Sequence, residues 1–238
     1  MDTQLNFAPY DIIAEEYYDM EHKTSRNFDQ TTVEAFRGLK DRVPDTGLVL
    51  DVGAGKGRCN EYLGIDTNRI IQLDSSRRML QLKPRENCLF RIKHRAESLP
   101  FLDSEFSCVS AFLCDSFLGL NFLSEAYRVL SKNGMLIGTA PSYEWGVALR
   151  EEIQIEASIT RFITKNGNLV TVPSILVPLE QLREMLIVVG FNESNIQVER
   201  HRLPQTITEI SPDISLPAKK LGYDVYELII LYSFVARK

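Results

Sequence analysis

Three glycines at alternate positions, Gly53, Gly55 and Gly57, follow the apolar run LVLDV at residues 48–52. Glycine tolerates positive φ and puts no Cβ in the way of a ligand, so this loop can offer bare main chain to a bound group. A phosphate-cradling loop needs G-x-x-x-x-G-K-[ST]. Here Gly55-Lys56 is followed by Gly57, with no glycine five residues earlier. A dinucleotide loop needs G-x-G-x-x-G, and Arg58 stands in the third glycine position. The next apolar run ends at Asp74, where an acidic side chain can accept from both hydroxyls of a ribose. As the N-cap of the helix in SSRRML, Asp74 would have a different and compatible task, since a carboxylate has several acceptor sites. The ligand chemistry therefore points to a nucleoside without a pyrophosphate.

The elements that hold these residues emerge from the rest of the chain. Its 238 residues are 44% hydrophobic and 25% charged, ordinary for one globular core with an elaboration. The start, MDTQLNFAPYD, has no basic stretch before an apolar one, and LIILYSFVA from Leu228 is too short to span a bilayer. A cytoplasmic protein without a membrane segment is expected. Cys59, Cys88, Cys108 and Cys114 have no CxxC spacing and there are only three histidines, so neither zinc nor a disulfide framework is indicated. The net charge of −5 speaks against a general nucleic-acid coat. One stretch, from Arg77 to Arg95, is locally basic, and it reads as a solvated helix and strand edge or as a phosphate track.

Residues 10–20 and 28–43 read as helices, the second stopped by Pro44. Short apolar strands then alternate with helical segments, the pattern of an α/β, Rossmann-like, mostly parallel sheet with helices on both faces. The alternation breaks at Pro141. Residues 142–178 read as an inserted helix over 144–163 and a hairpin over 161–172, with Asn166-Gly167 suited to a type I′ turn. The core pattern resumes with a helix from Leu179, a strand near 195–203, a polar loop over 204–222 and a last strand near 225–236 that can pair antiparallel. The expected organisation is an N-terminal helical lid over 1–44 and one domain over 45–238.

LVLDVGAGKGR, IIQLDSSRRML, AESLPFLDSEFSCV and LSEAYRVLSKNGMLIG, in that order, resemble the class I S-adenosylmethionine-dependent methyltransferases, especially the branch that methylates small molecules. The resemblance is close over residues 45–140. It implies a seven-stranded sheet with the last strand antiparallel and S-adenosylmethionine across the strand ends. By the resemblance, Asp51 and the Gly53, Ala54, Gly55 and Gly57 backbone hold the methionine part and Asp74 the ribose. Ser75 and Met79 flank the adenosine, the Ala96 N–H and Glu97 meet the adenine edge, and Ala111 and Phe112 line the methionyl side. YDIIAEEYYD resembles the family's lid segment, which would bring Tyr17 and Tyr18 over the cofactor; tyrosines at helical spacing also serve packing. Arg95 departs from the family's usual aspartate. Lacking an acceptor, it shifts adenine recognition toward Glu97.

The cofactor brings an activated methyl group, so the chain must place a nucleophile in line with it and exclude water. Asp115, after the fourth strand, is the candidate acid or base, or else an N-cap for SFLGLNFL. His22 could face the acceptor across the lid, or lie on the surface. Tyr143, Glu144 and Trp145 open the insertion that would roof the acceptor, although a single Trp is commonly core. Ala111-Phe112-Leu113-Cys114 lacks the proline pair of base amino-methylation, Cys114 stands in no nucleophile motif, and Thr139-Ala140-Pro141 offers no acidic pair for a metal. The reading is metal-independent transfer to a small-molecule substrate. An RNA methyltransferase and a non-catalytic S-adenosylmethionine-binding or scaffold protein stand as alternatives. Neither the acceptor atom nor the oligomeric state has a sequence signal.

Overall fold

A computed structural model describes residues 9–17, 22–39, 43–82 and 88–238. Five apolar runs form parallel neighbours: β1 (Leu48–Val52), β2 (Ile70–Asp74), β3 (Phe90–Lys93), β4 (Phe106–Ala111) and β5 (Leu130–Pro141). With β8 (Ile196–Arg202) and β9 (Ile229–Arg237) they make a seven-stranded sheet in the order β3-β2-β1-β4-β5-β9-β8. The last strand, β9, runs antiparallel to both β5 and β8. The order reverses between β1 and β4, so their carboxyl ends form the crevice where open α/β sheets take ligands.

Side chains alternate across the sheet. Leu50, Val52, Val109 and Leu136 join Phe122 and Leu123 of α4 (Leu120–Val129) and Leu182 and Leu186 of α6 (Leu179–Val188). Val49, Cys108 and Ile137 point the other way, to Tyr62 and Leu63 of α2 (Cys59–Leu63) and to Phe36, just past α1 (Lys23–Ala35). Fully burying each such aliphatic or aromatic side chain stabilises the fold by about 1.5–3 kcal/mol. That second face also carries a polar row. Arg91 lies opposite Gln72, Gln72 opposite Asp51, and Asp51 opposite Ser110, across four strands.

Several elements differ from the sequence expectation. The N-terminal stretch is a 3-10 turn at Pro9–Asp11 followed by hydrogen-bonded turns to Tyr17, not a helix. Helix α1 starts five residues earlier than its apolar spacing suggests because His22 caps it, and it ends at Ala35. The helix after β5, α5 (Tyr143–Ile153), stops at Gln154 in the left-handed region, and residues 159–163 belong to a strand.

β6 (Ile159–Ile163) and β7 (Leu169–Pro173) form a separate two-stranded sheet. Its turn has positive φ at Gly167 only, whereas type I′ requires it at two positions, so the I′ expectation is corrected. The expected polar loop over 204–222 contains α7 (Pro212–Leu221), capped by Ser211 and ended by Gly222 in the left-handed region. Pro217 obscured that helix, since a proline cannot donate to the carbonyl four residues back. That carbonyl, Asp213 O, instead accepts from Trp145 Nε1 at 2.8 Å.

Candidate functional site

The loop after β1 is held by the end of β2. Ala54 N donates to Leu73 O at 3.0 Å, and Gly57 N to Ala54 O at 2.6 Å. Asp74 ties two turns together: Oδ2 accepts from Gly55 N at 2.8 Å and Oδ1 from Ser76 N at 2.7 Å. Burial raises its pKa, those two N–H bonds pull it back, and the charge of Asp11 adds to the rise. The helix cap that the sequence allowed for Asp74 is supplied by Ser76, whose Oγ accepts from Met79 N at 3.0 Å. Each Asp74 oxygen keeps a lone pair beyond the one its N–H occupies.

Gly53 and Gly57 are closely packed. Gly57 has φ +68°, and a Cβ there would stand 2.1 Å from Gln72 Nε2; a Cβ on Gly53 would meet Phe117 Cε1 at 2.5 Å. Asp51 is buried beneath them, accepting from Ser110 Oγ at 2.8 Å.

The N-terminal segment lies over the same strand ends. Asp11 accepts from Ser76 Oγ and, at 3.2 Å, from Arg78 N. Glu15 pairs with Arg78 and takes Lys56 Nζ on its carbonyl at 3.2 Å. Tyr10 has Ser116 as its side-chain hydrogen-bond partner and feels both Asp115 and Asp74; burial and these charges push its pKa well up. Ile13, Phe162 and Val172 form a small core with Tyr10 and Tyr17, which joins the segment to the β6–β7 hairpin. Tyr17 stacks edge-on against Tyr10, with centroids 5.4 Å apart.

Asp115 lies in a 3-10 turn, Cys114–Ser116, directly after β4. It is 7% exposed, and burial raises its carboxyl to about 6, against opposing pulls from Ser174, main chain and Arg150. It caps no α-helix; the N-cap of α4 is Gly119. Leu113, at φ 49°, makes the sharp turn between β4 and Asp115, and its N–H donates to Thr139 Oγ1 at 3.0 Å. Arg150 of α5 is 6% exposed, held by Ile159 and Ser174.

The family model for a methyltransferase domain matches residues 50–138. That span begins inside β1 and ends within β5, enclosing the glycine loop, Asp74 and Asp115. No curated protein matches the whole sequence significantly.

Among solved structures, a Thermotoga maritima S-adenosylmethionine-dependent methyltransferase, described as a possible histamine N-methyltransferase, aligns with TM-score 0.64 at 19% identity over 97% of this chain and 98% of its own. One from Archaeoglobus fulgidus aligns with TM-score 0.60 at 17% identity, over 93% and 100%. Phosphoethanolamine N-methyltransferase 2 of Haemonchus contortus, solved with S-adenosyl-L-methionine, aligns with TM-score 0.58 at 16% identity, over 100% of this chain and 61% of that one. The chain has the Rossmann-like fold of the class I S-adenosylmethionine-dependent methyltransferases.

The strand-end residues have the chemistry to hold the S-adenosylmethionine that the sequence resemblance implies. A desolvated carboxylate with unused lone pairs, Asp74, stands beside a loop of exposed main chain, which suits ribose hydroxyls and an aminoacyl group. Ser75 is exposed and Met79 buried at the start of α3 (Arg77–Gln81); Ala96 is buried, and Glu97 pairs with Arg95 at 3.2 Å. Ala111 is buried at the end of β4. The Phe112 ring packs on Tyr62 and Phe36, leaving its main chain at the strand end.

Other sequence candidates have different partners. Trp145 is core, its ring 4.8 Å from that of Phe28, because α5 packs on α7. Glu144 accepts from the Tyr232 hydroxyl, and Tyr143 is exposed. His22 caps α1, its Nδ1 accepting from Ser25 N at 3.2 Å, and stacks on Phe162 at 4.4 Å. Tyr18 lies outside the described residues. Burial raises the Cys114 thiol well above its ordinary range, the state of a packing thiol.

Sequence reasoning missed Tyr10, Arg150 and Ser174. Tyr10 stood inside the quoted lid motif, while the other two carry no local signal. Among the described residues, no group of three or more His, Cys, Asp or Glu is placed to hold a metal, and no helix is long and apolar enough to cross a membrane.

Proposed function

We propose that this protein is an S-adenosylmethionine-dependent methyltransferase that acts on a small-molecule acceptor by in-line displacement, without a metal, with Asp115 as the general base. The observation that carries the reading is a carboxylate raised to about 6 by burial, placed directly after β4 beside the cofactor crevice. A base titrating near working pH combines a populated ionised form with real proton affinity. S-adenosylmethionine supplies a methyl group activated on a sulfonium. Asp74 and the loop over residues 53–57 orient the nucleoside and aminoacyl parts. Tyr10 and the hairpin exclude water, and Asp115 takes the proton of a hydroxyl or amine nucleophile.

The enclosing hairpin and N-terminal segment suit a small acceptor. Three members of the basic stretch have partners: Arg78 pairs with Glu15, Arg95 with Glu97, and Arg91 donates to Leu80 O at 2.8 Å and Gln72 Oε1 at 3.2 Å. That engagement favours small molecules over an RNA track.

The test is transfer of an isotopically labelled methyl group from the cofactor into cell extract. Label is expected in the small-molecule fraction and absent with Asp115→Asn. Label in RNA would instead establish the RNA reading. Tight S-adenosylhomocysteine binding with no label anywhere would leave a non-catalytic binder.

A further inference from the structure

Helix α5 carries a second buried charge, Arg150, that proton transfer to Asp115 does not use. Arg150 Nε donates to Ile159 O at 2.9 Å, and Nη2 donates to Ser174 O at 2.8 Å and Ser174 Oγ at 2.9 Å. The remaining nitrogen, Nη1, is buried with no hydrogen-bond partner. Asp115 acts on this guanidinium electrostatically, and Ser174 contacts both groups. Ile175 N donates to Asp115 O at 2.7 Å, which fixes the end of the hairpin against the turn that carries Asp115. Yet no ion pair joins Arg150 and Asp115.

Two desolvated opposite charges thus stop short of each other, and one has an unfilled donor. Guanidinium keeps its charge at every relevant pH, and its planar fork matches the oxygens of carboxylate and phosphate. A buried ionic donor without an acceptor is costly, and an apolar residue would pack a cap helix without that cost.

Building on the function proposed above, we infer that Arg150 is the specificity residue of the acceptor pocket and recognises an oxyanion on the acceptor. The acceptor is a small molecule with a carboxylate or phosphate at one end and a hydroxyl or amine nucleophile at the other. An oxyanion oxygen accepts from Arg150 Nη1, and the nucleophile faces Asp115. In the transfer, the methyl–sulfur bond breaks, a bond from the methyl group to oxygen or nitrogen forms, and the nucleophile's proton passes to Asp115.

The test is calorimetry on the whole chain saturated with S-adenosylhomocysteine. The probes are glycolate, benzoate, 4-hydroxybenzoate and inorganic phosphate, with glycolamide, benzamide and 4-hydroxybenzamide as neutral partners. At least one carboxylate is expected to bind about tenfold or more tightly than its amide, or phosphate to bind with an affinity that Arg150→Met lowers about tenfold or more, as a charge-assisted bond predicts. The phosphate and carboxylate arms show which oxyanion fits. Arg150→Met is expected to abolish the preference while S-adenosylhomocysteine affinity holds within about twofold, and Arg150→Lys to retain part of it.

Equal binding of acids and amides, no binding of any probe, or a preference that survives Arg150→Met would each overturn the inference. If Arg150→Met does not fold, the wild-type acid-to-amide ratio still decides. Loss of S-adenosylhomocysteine binding in the wild type would defeat the functional reading instead, so the two failures are distinguishable.

Discussion

The half of the crevice proposed to hold the cofactor and the half proposed to hold the acceptor are built on different principles. At the cofactor half, strand register brings main-chain N–H groups and one carboxylate together: Gly55 N and Ser76 N on Asp74, within 21 residues of sequence. At the acceptor half, Asp115, Arg150 and Ser174 come from a turn, a helix and the end of a hairpin, and meet through side chains. The first arrangement comes with the fold itself. The second depends on how a helix and a hairpin settle over the sheet, and it can change without disturbing the strands. One scaffold can therefore keep its donor while its acceptor varies.

This contrast breaks if damage to one half spreads to the other. Its sharpest probe is Asp115→Asn. Transfer is expected to fall by about 10²–10⁴-fold, the usual contribution of a general base, with S-adenosylhomocysteine affinity within about twofold by calorimetry. Asp74→Ala is the reverse case. It strands two main-chain donors and the ribose hydroxyls, so cofactor binding should weaken by at least about 1–3 kcal/mol, and an unchanged affinity would remove Asp74 from the site.

The acceptor half should also reveal itself through stability. The Asp115 carboxyl titrates near about 6 in the folded chain, above its ordinary 3.8. The folded state therefore binds more protons between those values, and stability falls as pH rises from about 4 to 6. Asp115→Asn should flatten that slope and stabilise the protein at pH 7 by about 1–3 kcal/mol, read by denaturant melts at pH 4 and 7. The smallest effect is expected at His22→Ala, which removes the cap of α1. A loss of about 0.5–2 kcal/mol in the melt, with cofactor affinity intact, would confirm that His22 serves the helix.

The strand-end arrangement around Gly55 and Asp74 was legible in the sequence because its signals are local. The glycine spacing, the acid ending the second strand and the strand–helix alternation all lie within short windows. What stayed hidden arose from long-range packing. Trp145 and Glu144 looked available in sequence, but α7 and Tyr232 engage them. Arg150 carries no local signal, since its burial depends on a hairpin that begins nine residues later. Pro217 disguised α7, and the N-terminal turns imitated a helix through their tyrosine spacing, although Asp11 and Glu15 bind residues of the β2–α3 region instead.

The two main-chain donors that grip Asp74 have a thermodynamic consequence for ligand capture. Its oxygens are fixed by Gly55 and Ser76, so the side chain has little rotamer freedom left to lose when a ribose arrives. Folding has already met the orientational entropy of that contact, leaving the nucleoside to supply only its own.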